Sequence, residues 1–183
     1  MNTEYEVKFL DVDMSYWLKI LENEGATLQY DNIQRISIFD GLNGNSREYV
    51  RVRDEGDKIT LTHKVSVPNS VGASETEIIV NSYETAISLL DVIGLKKTRT
   101  EEKRRIRYRL NDCNLDIDTW PDIPTYVEIE SISEDGVKKM CETLGVDFNK
   151  SFKGSAHDIF RHYGIDPDKN TYMAFSESSL NKL

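Results

Sequence analysis

The stretch Glu4-Tyr5-Glu6-Val7-Lys8 decides how the rest of the chain reads. In an extended strand, successive side chains point to opposite faces. Glu4, Glu6 and Lys8 then share one face, and Tyr5, Val7 and Phe9 share the other. Like charges two residues apart sit roughly 7 Å apart, which costs a little unless water or a counter-charge lies between them. One reading is an edge strand with a solvated outer face. The other is that the charged face meets a polar partner elsewhere in the chain.

The same alternation recurs downstream. Arg51 and Arg53 oppose Val50 and Val52, and Thr60, Thr62 and Lys64 oppose Ile59 and Leu61. Lys103, Arg105 and Arg107 oppose Ile106, Tyr108 and Leu110; Asp116 and Asp118 alternate with Leu115 and Ile117. Glu128 and Glu130 alternate with Val127 and Ile129, and Glu75 and Glu77 with Thr76, Ile78 and Val80. The long segments Thr27–Phe39 and Lys96–Leu110 also read as strands, which brings the count to about eight. Turns are expected from Asp40 to Asn45 and at Asp54-Glu55-Gly56-Asp57, and a loop from Pro68 to Ala73. Helices are expected over Asp13–Glu24, from Tyr83 to a stop at Gly94, from an N-cap at Ser133 to Gly145, and over Ala156–Tyr163. The order strand, helix, glycine, strands occurs twice, each time opening on a carboxylate pair. One domain over residues 1–165 is expected, followed by a polar tail over 166–183.

Composition narrows the function classes. The 183 residues carry a formal net charge of -9 with 38% hydrophobic residues, a folded rather than disordered profile. An acidic chain does not coat nucleic acid, although a local basic pocket is compatible with it. No run of about 18 apolar residues reads as a membrane span, and charge beginning at Glu4 leaves no signal-peptide core, so a cytoplasmic protein is expected. Cys113 and Cys141 form no metal or redox motif, and His63, His157 and His162 lack zinc-ligand spacing. His63 alternates with Lys64 and is expected on the outer, helix-covered side; Trp17 and Tyr108 are expected to pack.

The signs of the charged faces are segregated by strand. If the sheet closes, those faces line a lumen in which basic strands oppose acidic ones, and eight strands enclose a modest interior. Such a lumen suits a phosphate chain on its Arg and Lys side chains and hard divalent cations on its carboxylates. An ordinary antiparallel sheet with a wet charged side fits the alternation equally well.

Several of these strands resemble the CYTH, or triphosphate tunnel metalloenzyme, family. Glu4-x-Glu6-x-Lys8 is similar to its opening E-x-E-x-K; Tyr49-Val50-Arg51-Val52-Arg53 resembles its R-x-R strand, and Leu61-Thr62-His63-Lys64 its L-T-x-K strand. Lys103-Arg104-Arg105 followed by Tyr108 resembles K-x-R with an aromatic, and Asp118 followed by Glu128-Ile129-Glu130 resembles its aspartate and E-x-E. The order matches, from Glu4 to the Glu130 strand. Two departures stand out. Ala73 and Ser74 occupy the place of an arginine common in the family, which weakens Glu75 and Glu77 as site residues. Trp120-Pro121-Asp122-Ile123-Pro124 replaces the glycine-containing turn of the cyclase branch.

The resemblance implies an α+β fold, a closed eight-stranded antiparallel barrel with helices outside it. It implies that Lys8, Arg51, Arg53, Lys64, Lys103 and Arg105 hold a triphosphate, with Lys8, Glu6, Arg53 and Lys103 acting at the reacting phosphate. Glu4, Glu6, Asp118, Glu128 and Glu130 would hold Mg²⁺ or Mn²⁺. Arg107, Asp116 and Glu75 share the parity of these residues without a motif to assign them. A basic residue on the last helix closes the tunnel in some members, and Lys153 and Arg161 are the candidates here. The implied partner is a small triphosphate (tripolyphosphate, ATP or thiamine triphosphate), with no nucleic acid and no membrane, on a monomer or homodimer. Three activities stay open: hydrolysis, cyclisation of ATP with loss of pyrophosphate, and binding of polyphosphate or nucleotide without turnover. The altered turn after Asp118 leans toward hydrolysis.

Overall fold

The alternating strands close on themselves. The computed structural model of the chain describes residues 2–41, 48–66 and 72–180; most of the expected Asp40–Asn45 turn and Pro68–Ala73 loop lie outside them. Strands β1 (Asn2–Phe9), β2 (Thr27–Asp40), β3 (Glu48–Asp54), β4 (Ile59–Ser66), β5 (Gly72–Val80), β6 (Lys97–Leu110), β7 (Cys113–Thr119) and β8 (Tyr126–Ser131) follow one another around a ring. The order is β2-β3-β4-β5-β1-β8-β7-β6, and β6 pairs back onto β2, so eight antiparallel strands leave no open edge between them. Exchanging each strand of the first four with its counterpart in the second four returns the same ring read backwards. The strand–helix–strand repeat in the sequence is therefore a two-fold relation in the topology. A short β9 (Tyr172–Met173) adds in parallel to the outer part of β6 and buries Met173.

Parity decides what faces outward. Val7, Leu115, Ile117, Val127 and Ile129 leave the lumen and meet Trp17 and Leu21 of α1 (Met14–Asn23) and Val137, Met140 and Cys141 of α3 (Glu134–Thr143). Val50 and Val52 do the same against Tyr83, Ala86 and Leu90 of α2 (Tyr83–Val92). Each such side chain, fully buried, is worth about 1.5–3 kcal/mol relative to exposure. Asp13 caps α1 by accepting from the backbone N–H groups of Ser15 and Tyr16, and Ser133 caps α3 through Gly136 N–H. Trp17 and Tyr108 pack in the first of these cores, and His63 stands beside Glu48 on the outer side of β4. Cys113 and Cys141 are free thiols in the same core.

One strand breaks the pattern of charge inward and apolar outward. On β2, Arg35 and Ser37 point out, where Arg35 pairs with Glu84 at 2.7 Å and lies 4.0 Å from the Tyr83 ring centroid, and Ser37 bonds the Tyr83 hydroxyl. Ile36 and Ile38 point in. They join Trp120 and Tyr126 beneath Ile159 and Phe160 of α4 (Ala156–His162), which covers that end of the ring. The segment leading to α4 is fastened to β1, since Lys8 and Phe152 exchange both backbone hydrogen bonds, at 3.1 and 2.7 Å. A four-residue helix α5 (Glu177–Leu180) follows β9. Among the described residues, no helix is long and apolar enough to cross a membrane.

Candidate active site

The inward faces line a cavity of about 1180 Å³. Glu4, Glu6, Lys8, Arg51, Arg53, Lys64, Lys103, Arg105, Glu128 and Glu130 all line it, as do Glu75, Glu77, Arg107, Lys153 and Arg161. Asp118 lies one layer deeper, fully buried beneath Lys103 and Arg105. Among the described lining residues, cationic and anionic side chains are equal in number, although the chain as a whole is strongly acidic.

The signs are laid out by strand. The arc β5-β1-β8-β7 carries Glu75, Glu77, Glu4, Glu6, Glu128, Glu130, Asp116 and Asp118, and basic strands flank it on either side. Lys8, only 2% exposed, bridges Glu6 at 2.8 Å and Glu128 at 3.2 Å. Burial works against its ammonium, but Glu6 and Glu128 outweigh that and hold the pKa up at about 12. Lys64 reaches Glu75 at 2.7 Å and Glu6 at 3.7 Å. Arg105 grips Asp118 with two parallel bonds of 2.7 and 2.6 Å and touches Glu128 at 3.4 Å. Arg107 holds Asp116 in the same two-pronged way and lies 3.6 Å from Glu130.

Arg51 and Arg53 are differently placed. Arg51 reaches Glu75 and Glu77 only at 3.9 Å, while Arg53 pairs with Glu55 of the following turn at 2.5 Å and reaches Glu77 at 4.0 Å. Both carry a buried Nε without a hydrogen-bond partner among the described residues. Burial, together with neighbouring Arg51, lowers the Arg53 pKa below the usual guanidinium range despite Glu55. Donors buried without acceptors are costly.

The acidic arc holds the reverse imbalance. Asp116, Glu128 and Glu130 each place an oxygen within 4.8 Å of the others. Burial, and then Asp116 and Glu128, raise the Glu130 pKa although Arg107 opposes them. Burial, Glu130 and Glu75 raise Glu4 to about 7. Glu128 behaves oppositely: burial would raise it, but Lys8, Arg105 and Lys103 hold it far below the carboxylate range. Asp118 is likewise lowered, by Arg105 and Lys103 against burial. Lys103 carries the cost, and its pKa falls to about 8 through burial and the Arg105 charge.

Comparison with known proteins bears on what such a lumen is. The model of the CYTH domain matches residues 2–159. The chain belongs to the CYTH domain family. Among solved structures, the fold of this CYTH domain is similar to that of the PH1012 protein from Pyrococcus horikoshii (TM-score 0.74; 22% identity over 85% of this chain and 98% of that one). It is similar to a candidate adenylate cyclase from Vibrio parahaemolyticus (TM-score 0.73; 11% identity over 87% and 98%). It also resembles HpAC1 from Hippeastrum, a candidate adenylyl cyclase described as having a dominant triphosphatase activity (TM-score 0.61; 15% identity over 90% and 97%). A search of curated proteins by sequence finds no match.

Some residues in and around the lumen are not apparent from motifs. Asp116 shares parity with Asp118 yet lies on no matched motif, and it is the third member of the compact carboxylate group. Glu75, ranked low because an arginine is missing upstream, is the 2.7 Å partner of Lys64. Glu101 has the parity of Lys103 and Arg105, which is the signal that could have found it. Glu55 gives no signal, because it sits in a turn; its buried carboxylate nevertheless holds Arg53 and Lys58.

Proposed function

We propose that this CYTH domain cleaves a triphosphate within its lumen with the help of a divalent cation, and that the reaction is hydrolysis. The observation that carries this reading is a polarity across the ring. Strand β3, with the partnerless Nε groups of Arg51 and Arg53, stands diametrically opposite β8, whose Glu128 and Glu130 crowd with Asp116. A triphosphate needs both cationic donors for its oxygens and a metal site beside them.

The donor set fits a hard cation, since Glu4, Asp116, Glu128 and Glu130 offer only oxygen, and Glu4 and Glu130 are pushed up in pKa by burial and then by neighbouring carboxylates. Glu6 adds a fifth oxygen donor nearby, and Asp118 orients Lys103 and Arg105 from below. Bound there, Mg²⁺ or Mn²⁺ would supply Lewis-acid stabilisation of negative charge on the phosphoryl oxygens. Lys8, Arg51, Arg53, Lys64, Lys103 and Arg105 would hold those oxygens in place, each exchanging part of a carboxylate contact for phosphate. Lys8 and Arg53, facing the reacting phosphate with Glu6 and Lys103, would match the charge that grows in the transition state. Lys153 and Arg161 also line the cavity beside α4 and are the candidates for closing it.

Hydrolysis is favoured over cyclisation by the triphosphatase activity described for HpAC1 and by the proline-containing turn after Asp118. The test is to incubate the protein with Mg²⁺ or Mn²⁺ and, separately, tripolyphosphate, ATP and thiamine triphosphate. Phosphate release supports the proposal. Pyrophosphate with cyclic AMP would replace hydrolysis by cyclisation, and tight binding without turnover would replace both with a binding module.

A further inference from the structure

Glu101 is a buried carboxylate that the phosphate chemistry leaves unused. It is 3% exposed, lines the cavity from β6, and stands two residues from Lys103 on the same face. Its Oε1 is hydrogen-bonded to His157 Nε2 of α4 at 3.4 Å and lies 3.5 Å from Arg99 Nε, an ion-pair contact without hydrogen-bond geometry. Its Oε2 has no hydrogen-bond partner among the described residues. A carboxylate oxygen on the cavity wall without a protein donor is open to a donor on a ligand.

The surroundings say what kind of donor. Ile36 is the cross-strand partner of Glu101, and Trp120 and Tyr126 complete an apolar, aromatic wall at this end of the cavity. The Trp120 ring centroid lies 5.4 Å from Lys103 Nζ, so this wall begins where the phosphate-binding residues end. An acceptor-only carboxylate beside an apolar, aromatic wall suits an organic group with a donor better than it suits a phosphate. The cavity of about 1180 Å³ is also above the roughly 300–1,000 Å³ usual for small-molecule sites, so it has room beyond a phosphate chain.

The geometry points to Glu101 as the residue that selects the organic head of the substrate, a flat heteroaromatic ring whose amino group donates to Oε2. Glu101 rejects a ring that carries an oxo group in that place, because two acceptors would then face each other. His157 and Arg99 act as positioning residues that aim the carboxylate. This inference rests on the triphosphate reading only for where the phosphates lie.

The test uses ligand pairs that differ in amino against oxo: ATP with inosine triphosphate, and CTP with UTP. Binding is read by calorimetric titration, and turnover is read in parallel with tripolyphosphate included. The unmodified protein is expected to bind the amino member more tightly, on the order of ten- to a hundredfold. In Glu101→Gln the amide presents either a donor or an acceptor, and the ratio is expected to shrink to about threefold or less. Should that variant fail to fold, Glu101→Asp, which keeps the charge and shortens the reach, is expected to weaken the preference without reversing it. Equal affinities within each pair in the unmodified protein, or a preference that the substitution leaves untouched, overturns the inference. An amino preference in binding with no cleavage of any triphosphate sinks the hydrolase reading alone; cleavage without the preference sinks this one alone.

Discussion

Arg53 is the residue on which the phosphate side of the lumen turns, because its buried Nε has no partner and its fork faces the cavity. Arg53→Lys keeps the charge but loses the fork, and a drop in kcat/KM of roughly 10²–10³ is expected from steady-state assays on the best triphosphate. Lys138→Ala, which removes only an exposed pair with Glu134 on α3, is the control expected to leave turnover unchanged. On the acidic side, Glu130→Gln keeps shape and removes the charge a hard cation needs. Its turnover should vanish while its melting profile stays folded, and excess chelator should do the same to the unmodified protein; full activity in chelator would end the metal assignment. Lys103 gives a pH signature. Its pKa is lowered to about 8, so its ammonium is present below that pH and lost above it. The kcat/KM should therefore fall as pH rises through about 8, and Lys103→Arg, which stays charged, should flatten that limb. Stability responds with the opposite sign. Between about 8 and the unfolded value near 10.5 the unfolded chain binds the extra proton, so this group favours folding more as pH rises across that window.

At the scale of the element, α3 is held against β8 by a contact that admits no methyl group. A Cβ on Gly136 would lie 2.3 Å from Ser131 Oγ and 3.1 Å from Ser133 Oγ, the latter the cap of the same helix. Helix propensity alone favours alanine there by about 1 kcal/mol. The clash should reverse that, and Gly136→Ala is expected to destabilise by about 1–3 kcal/mol in chemical denaturation. No such constraint is visible in Ser133-Glu134-Asp135-Gly136 as a sequence, which reads simply as a good helix start. The strands were more legible. Period-two alternation orders Glu4, Lys8, Arg53, Lys64, Arg105, Glu128 and Glu130 onto the lining, because a one-residue slip would expose Val7, Val52 and Ile129 to the cavity. Alternation alone left closure open; it took the matched motifs to imply a ring. β2 was legible in its strand character but not in its direction, since Arg35 and Ile36 alternate like any other pair. What turned Ile36 inward is the apolar face of α4, more than a hundred residues away, and local periodicity carries no information about it. Glu101 escaped for the related reason that its partner His157 lies on α4 and meets it only in the folded ring, whereas Glu55 sits in a turn, where period-two alternation gives no direction.

At the scale of the whole molecule, the charge outside the lumen does not match the charge within it. The chain carries -9 overall while the described lining is balanced, so an approaching polyphosphate meets repulsion first and donors only on entry. Added monovalent salt should screen that approach more than the buried contacts. The association rate of tripolyphosphate, followed by stopped flow, is thus expected to hold steady or rise between about 10 and 150 mM salt, where the Debye length falls from roughly 30 to 8 Å; a steep fall would reveal a basic outer funnel. The ring also has a history in time. Among the described strands, β1 pairs with β5 and β8, and β8 begins at Tyr126. During synthesis β1 leaves the ribosome on the order of ten seconds before its second partner exists, at ordinary elongation rates. Through that interval Glu4, Glu6 and Lys8 are carried on a strand with one free side, and Phe152, which fastens Lys8 from the far end of the chain, is still to be made. A nascent chain halted before β8 therefore lacks Glu128 and Glu130, the partners of Lys8, Arg105 and Arg107, and the lumen comes into being as a late event at which β1 is among the last strands to be locked.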